Sequence, residues 1–364
     1  LFRRWLTLTI FAIVLGNAYA NGMSTRPAWM VQVFNILLWG VMFMSLVRIP
    51  DEKKGRLVNN IGMFLLVVMA YVRIDFFGVA ISRWNSDIII MILANIAIWG
   101  GLIWMFTKDS LKLRWLVLFF IASIKAVSAY APEALAWVPS MSFIGWLFSW
   151  AYLQYLVIAL AGSIVGDMLL TQSRKNETVD IDNNHIAAGI IALVAALVQL
   201  WGLFTRNVLA DFIISAILGA AFIALTIKRR NVMTDIGYIG FALMLIGIIF
   251  DPIDGGITKD HCNLSYMFTT SGMTALTGAF ILALEFRWHI KGRGLSGSGQ
   301  NPMLAYTVTN FLTGPILALC GILPWLDRIS VGSPFWGMFR GLFVTLLMVA
   351  VTCFFTKKKL FWRR

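Results

Sequence analysis

VLADFIISAILGAAFIALTIKRRNVMTDIGYIGFALMLIGIIF, residues 208–250, decides what kind of molecule this is. Two apolar runs, about 208–227 and 233–250, flank the short basic gap Lys228-Arg229-Arg230. A helix rising ~1.5 Å per residue needs roughly 20 residues to cross the hydrocarbon of a bilayer, and both runs are close to that length. In lipid every backbone N–H and C=O must be paired internally, which leaves helices or closed barrels. Barrel strands alternate in polarity over about ten residues, and these runs do not alternate. The stretch reads as a helical hairpin in a membrane.

Working outward, the same pattern recurs along all 364 residues, of which 59% are hydrophobic and 13% charged. A soluble domain carries roughly a quarter charged residues. The chain is therefore expected to be all-α, a polytopic integral membrane bundle of about twelve helices. The first six spans are expected at about 5–19, 29–47, 57–72, 88–106, 115–130 and 141–165. The second six are expected at about 186–204, 208–227, 233–250, 264–286, 303–323 and 335–355. The hydrophilic gap TQSRKNETVDIDNNH, 171–185, separates 1–170 from 186–364 within a single transmembrane domain, and no loop is long enough for a soluble one.

Lys and Arg give an independent reading of topology, because short loops rich in them stay cytoplasmic. Alternate gaps carry Arg3 and Arg4; Arg48, Lys53, Lys54 and Arg56; Lys108, Lys112 and Arg114; Arg174 and Lys175; Lys228–Arg230; Arg287, Lys291 and Arg293; and Lys357–Lys359, Arg363 and Arg364. The opposite gaps hold only Arg26, Arg73, Arg83, Arg206, Lys259 and Arg328. Both ends of the chain are thus expected in the cytoplasm. The net charge of +13 is distributed as membrane topology rather than as a nucleic-acid surface, so the expected partner is the lipid bilayer and no nucleic acid. The chain opens Leu1-Phe-Arg-Arg-Trp5 without a methionine and enters an apolar run at once, which suggests an N-terminal truncation. Cys262, Cys320 and Cys353 have no metal-ligand spacing, and no metal is expected.

Ionisable groups inside spans are the default functional suspects, since hydrocarbon penalises them by several kcal/mol unless they are paired or hydrated. Lys125, Asp167, Asp211, Asp235, Glu285 and Arg340 qualify, with Asp75 and Asp87 at span rims. On the expected topology Lys125, Asp211 and Arg340 all lie toward the external side, where the cations could pair with Asp211 or face a polar cavity. The external gap from Asp251 to His261 offers Asp251, Asp254 and His261 as candidates for a general base. A solvated turn built on Pro252, Gly255 and Gly256 is the plain alternative. The internal gap from Arg287 to Asn301 gathers Arg287, Lys291 and Arg293 among glycines that admit close backbone approach to phosphates, although it has no Walker or dinucleotide pattern.

Residues 251–306 resemble the C-terminal part of the transmembrane acetyltransferases typified by heparan-α-glucosaminide N-acetyltransferase, and more closely their uncharacterised bacterial relatives. The residues carrying the resemblance are Gly255-Gly-Ile-Thr-Lys259, Leu264-Ser265-Tyr266, Thr270-Ser271-Gly272 and Gly299-Gln-Asn301-Pro-Met-Leu-Ala-Tyr306. The resemblance implies transfer of an acetyl group from cytoplasmic acetyl-CoA to an extracytoplasmic sugar, in a bacterial inner membrane. Lys259, Ser265, Asn301 and Tyr306 match family positions without an assigned role. Asn301 with Arg287, Lys291 and Arg293 would hold the CoA at the cytoplasmic mouth, and a homodimer is kept among the expected partners. The family's proposed catalytic histidine lies near the first crossings, whereas no histidine precedes His185 here. Arg56-Leu-Val-Asn-Asn60 also stands where the family has Leu-Gln-Arg. No catalytic residue is therefore carried over.

Two other classes remain open at this stage. The six-plus-six division and cytoplasmic ends suit a secondary transporter of a small solute. A noncatalytic membrane protein binding a lipid or a partner is the third reading.

Overall fold

The computed structural model describes residues 1–19, 23, 25–138, 145–175, 179–289 and 292–362. Among the described residues the regular structure is helical apart from one pair of two-residue strands. In chain order the helices are α1 (Phe2–Ala18), α2 (Ala28–Leu46), α3 (Glu52–Asp75), α4 (Ile88–Thr107), α5 (Leu111–Tyr130), α6 (Leu156–Lys175), α7 (Asn183–Thr205), α8 (Val208–Thr226), α9 (Val232–Asp254) and α10 (Leu264–Trp288). They continue with α11 (Arg293–Gly299), α12 (Pro302–Val308), a π-helical stretch at Thr309–Thr313, α13 (Gly314–Leu319), α14 (Ile322–Ser330) and α15 (Pro334–Lys357). Strands β1 (Val47–Arg48) and β2 (Phe361–Trp362) pair antiparallel, Val47 opposite Trp362.

Among the described residues, 11 segments are long and apolar enough to cross a bilayer, in the places read from the sequence. The twelfth expected span is α1, whose 17 residues lie at the short end of the roughly 17–25 that cross a bilayer. Span six is displaced. It was expected over 141–165, but the described part of the crossing runs Trp150–Lys175, and 141–144 lie outside the described residues. The sequence reading stopped at Val165 because Asp167 follows. In the structure that carboxylate is neutralised by Arg114 at 2.6 Å, so the helix continues past it.

The chain divides into two compact units. One comprises Leu1–Trp5 and Met91–Lys291, the other Leu6–Ile90 and Gly292–Arg364. The first is built around α9 and α10. Lipid gives no hydrophobic incentive for helices to associate, so close packing and small residues must hold them together. Gly240 and Gly247 on α9 face Gly272 and Thr269 on α10, and a β-carbon at Gly272 would collide with the Met244 backbone nitrogen. Ala188, Ala192 and Ala195 lay one face of α7 against this pair, with Phe222 of α8 closing the cluster. Leu118 and Ala122 of α5 and Leu160 and Ile164 of α6 pack with Leu243, Met267 and Phe268 in a second cluster.

Helix starts in this unit are fixed by side chains. Asp182 and His185 form a capping box at α7, Asn231 and Thr234 form another at α9, and Asn263 caps α10. Each satisfies backbone N–H groups that a helix start otherwise leaves unpaired.

The second unit contains α1 from Leu6, α2, α3, and α11 to α15. Asn59 of α3 donates to the carbonyls of Met44 and Val47, which fixes the α2–α3 connection next to β1. Trp39 and Phe43 of α2 gather with Phe355 and Trp362 into an aromatic cluster that seats β2.

Candidate functional site

The second unit contains a polar seam that helix periodicity does not announce. After α3 the chain returns as non-helical backbone and runs back alongside α1. The Asp87 amide donates to the Ala12 carbonyl at 2.8 Å. Ala12 is six residues from the C-terminal end of α1. At ~1.5 Å per residue the segment therefore dips about 9 Å along that helix. Ile81, Arg83, Trp84 and Asn85 of this segment stay exposed while Asp87 is buried, and irregular backbone beside a membrane helix needs partners from protein for its polar groups. Asn17 supplies the partners: its amide donates to the carbonyls of Ser82 and Asn85, each at 2.9 Å, and accepts from the Ser82 nitrogen at 3.0 Å. Gly16 allows the approach, since a β-carbon there would strike the backbone at Ser86 and Asp87.

The dip ends on Asp87, which is 6% exposed and begins α4 by accepting from the Ile90 nitrogen at 2.9 Å. Two phenols converge on the same carboxylate. Tyr19 donates to Oδ2 at 2.8 Å and Tyr306 to Oδ2 at 3.0 Å. The Tyr19 ring lies 5.3 Å from that of Phe311, within the π-helical stretch. A π-helical insertion in a helix is often found at functional sites. The arrangement is a buried carboxylate with two hydroxyls through which a proton can pass.

The same unit has a basic cleft of about 550 Å³ lined by Arg48, Arg56 and Lys359, with Glu52 as the one carboxylate on its wall. Its outer wall is the segment carrying β2, and Asn301 holds that segment in place. The fully buried Asn301 amide donates to the Leu360 carbonyl at 3.0 Å and accepts from the Trp362 nitrogen at 3.0 Å. Asn301 therefore shapes the cleft through the chain it anchors. Packed side chains connect this wall to the seam: Trp362 touches Phe11 and Trp39, and the Trp39 indole donates to Thr307, beside Tyr306.

The other expected site residues each have their own surroundings. Arg287 is exposed in the last turn of α10, in the first unit, whereas Asn301 belongs to the second. Lys291 and the side chain of Arg293 lie outside the described residues; the Arg293 backbone opens α11. Lys125, Asp211 and Arg340 each have a different partner. Lys125 donates to the His261 carbonyl, Asp211 is buried and accepts from Ser215, and Arg340 pairs with Asp327 at 2.6 Å.

The segment after Asp251 is less of a solvated turn than its composition suggests. Helix α9 continues through Pro252 to Asp254, and the turn begins only at Gly255, whose φ of 71° ends the helix. Asp251 is 2% exposed and pairs with Arg206 at 3.1 Å. Asp254 accepts from the Tyr130 hydroxyl and from the nitrogen of buried Ser265. Lys259 and His261 are exposed, and their carbonyls are held by Tyr155 and Lys125. Burial of the adjacent Cys262 pushes its thiol up to about 12, so it is held as an inert thiol.

Sequence reasoning placed Asp87 at a span rim and gave Tyr19 no role. It also counted Arg114 among the topology-setting cations. In the structure Arg114 is fully buried, bonded to Thr107, Ser163 and Asp167. An arginine four residues after the Ser110 cap reads as a loop cation, and its acid partner is distant in sequence. Among the described residues no group of three His, Cys, Asp or Glu side chains is placed to hold a metal ion.

No curated protein and no solved structure matches the chain. Residues 1–169, running from α1 into α6, match the family described as Domain of unknown function (DUF5009), so this portion is similar to a family of membrane proteins whose description names no activity.

Proposed function

We propose that this multi-pass membrane protein is an acyltransferase that passes an acetyl group from cytoplasmic acetyl-CoA to a sugar on the far side of a bacterial inner membrane, with both chain ends cytoplasmic. The observation that carries this reading is the Asp87 carboxylate held by Tyr19 and Tyr306 in the unit that also contains the Arg48, Arg56 and Lys359 cleft. Tyr306 and Asn301 are also positions at which the chain resembles the heparan-α-glucosaminide N-acetyltransferases.

In this reading the cleft receives the CoA phosphates, for which clustered Arg and Lys are the suited side chains. The acceptor amine attacks the thioester carbonyl, a C–N bond forms and the C–S bond breaks. Asp87 takes the proton that the amine loses and returns it, through the Tyr19 or Tyr306 hydroxyl, to the departing sulfur, which leaves as the CoA thiol. Positioned acid–base groups of this kind contribute roughly 10²–10⁴ in rate. Asp251, Asp254 and His261 have no step in this reaction, since the two carboxylates already serve Arg206 and the start of α10.

The test uses the full-length protein in detergent with labelled acetyl-CoA and an amino-sugar acceptor. Wild-type protein should bind the donor, and an Arg56→Ala, Lys359→Ala double variant should bind it about tenfold more weakly, as expected for lost charge-assisted contacts. Asp87→Asn should bind donor normally and transfer about 10²–10⁴ more slowly. Absence of donor binding by the wild type would reject the reading.

A second reading rests on the same carboxylate. A buried acid at the start of a membrane helix is also how proton-coupled transporters build a coupling site. Solute uptake by proteoliposomes that depends on a pH gradient and on Asp87, without acetyl transfer, would favour that alternative.

A further inference from the structure

We propose that the second unit binds a membrane phospholipid in the cleft between α1, α2 and α3, with the lipid phosphate on Arg73 and an acyl chain along the apolar walls. The cleft has a volume of about 230 Å³, which exceeds the ~150 Å³ of an engineered apolar cavity that takes up benzene. Ile13, Phe34, Leu38, Val67 and Ala70 give it an apolar lining. Val67 is 69% exposed, as is Phe64 one turn before it, so the cleft opens through the outward face of α3, where acyl chains lie.

Two polar side chains line the cleft, and they differ in what they still lack. Asn17 is committed to the segment 82–85. Arg73 is 4% exposed; one terminal nitrogen donates to the Tyr19 carbonyl at 2.9 Å, while its buried Nε has no acceptor among the described residues. A buried guanidinium with a free donor is unfavourable by several kcal/mol until an anion or water meets it. An apolar cleft open to lipid selects an anion that brings its own hydrocarbon. A phospholipid phosphate satisfies both requirements, since Arg forms paired hydrogen bonds to phosphate oxygens. The inference does not depend on the acyl-transfer reading.

Thermal unfolding of the delipidated full chain in neutral detergent tests the proposal, with three additions compared: phosphatidylglycerol, a diacylglycerol with the same chains, and inorganic phosphate. Only phosphatidylglycerol should raise the melting temperature. Arg73→Gln should weaken that response about tenfold, the cost of one charge-assisted contact. Ala70→Phe keeps the guanidinium but fills the cleft, and should abolish the response. If Arg73→Gln does not fold, Ala70→Phe decides the matter alone. An equal rise with diacylglycerol, a rise with inorganic phosphate alone, or an undiminished response in Ala70→Phe would overturn the proposal.

Discussion

The α9–α10 pair in one unit and the seam beside α1 in the other bring backbones into close approach by opposite means. Between α9 and α10, glycines remove side chains so that two regular helices touch directly. Beside α1 a glycine also clears the way, but what approaches is irregular backbone whose polar groups Asn17 must satisfy. The first solution gives a close contact suited to rigidity. The second places a carboxylate, two phenols and a buried arginine within one unit, at positions hydrocarbon would otherwise forbid. Chemistry is expected where the packing is polar and interrupted, and support where it is glycine-lined.

The contrast is broken most sharply by Asp87→Asn. Acetyl transfer should fall by about 10²–10⁴ while donor binding and melting temperature stay near wild type, read by labelled-product assay and calorimetry. Unchanged transfer would remove the distinction between the two regions. Next in size, Gly272→Val should lower stability by about 3 kcal/mol, because the new side chain meets backbone rather than a mobile side chain. The readout is loss of hydrogen-exchange protection in α9 and α10. Asn17→Ala should cost about 1 kcal/mol by removing the partners of half-buried backbone groups, with faster exchange at 82–87 and none of the change in α9 and α10.

The smallest effect lies at the polar start of α7. The His185 backbone N–H, with its imidazole and Arg229, holds the Asp182 carboxyl below the usual carboxylate range. A depressed folded-state pKa stabilises above the unfolded value, and the gain is lost as pH falls through the folded value. Asp182→Asn keeps the helix cap and removes the charge. It should therefore melt slightly below wild type at neutral pH, with the gap closing on acidification below the ordinary carboxylate range.

The fold was largely legible because lipid imposes length: an apolar run near 20 residues bounded by cations has few other uses. Span six shows where that reading failed. Asp167 looked like a terminus, and only its partner Arg114, 53 residues away, shows that it is accommodated inside the bundle. The site was less legible for the same reason. Tyr306 and Asn301 stood out through a motif, but nothing in the sequence near Asp87 says that Tyr19 and Tyr306 meet there. The dip from 82 to 87 is equally hidden, since its partner is a single asparagine on α1. Polar seams are made by tertiary pairing, whereas crossings are made by composition.

The dipping segment also constrains how the protein is made. Its carbonyls and amides cannot enter lipid on their own, and a lone helix elsewhere in the bilayer cannot satisfy them. Helix α1 is therefore expected to stay within reach while α2 and α3 insert, so that Asn17 can receive the segment. In a glycosylation-scanning or crosslinking assay of biogenesis, Asn17 is the residue whose loss should leave that segment stranded at the membrane surface.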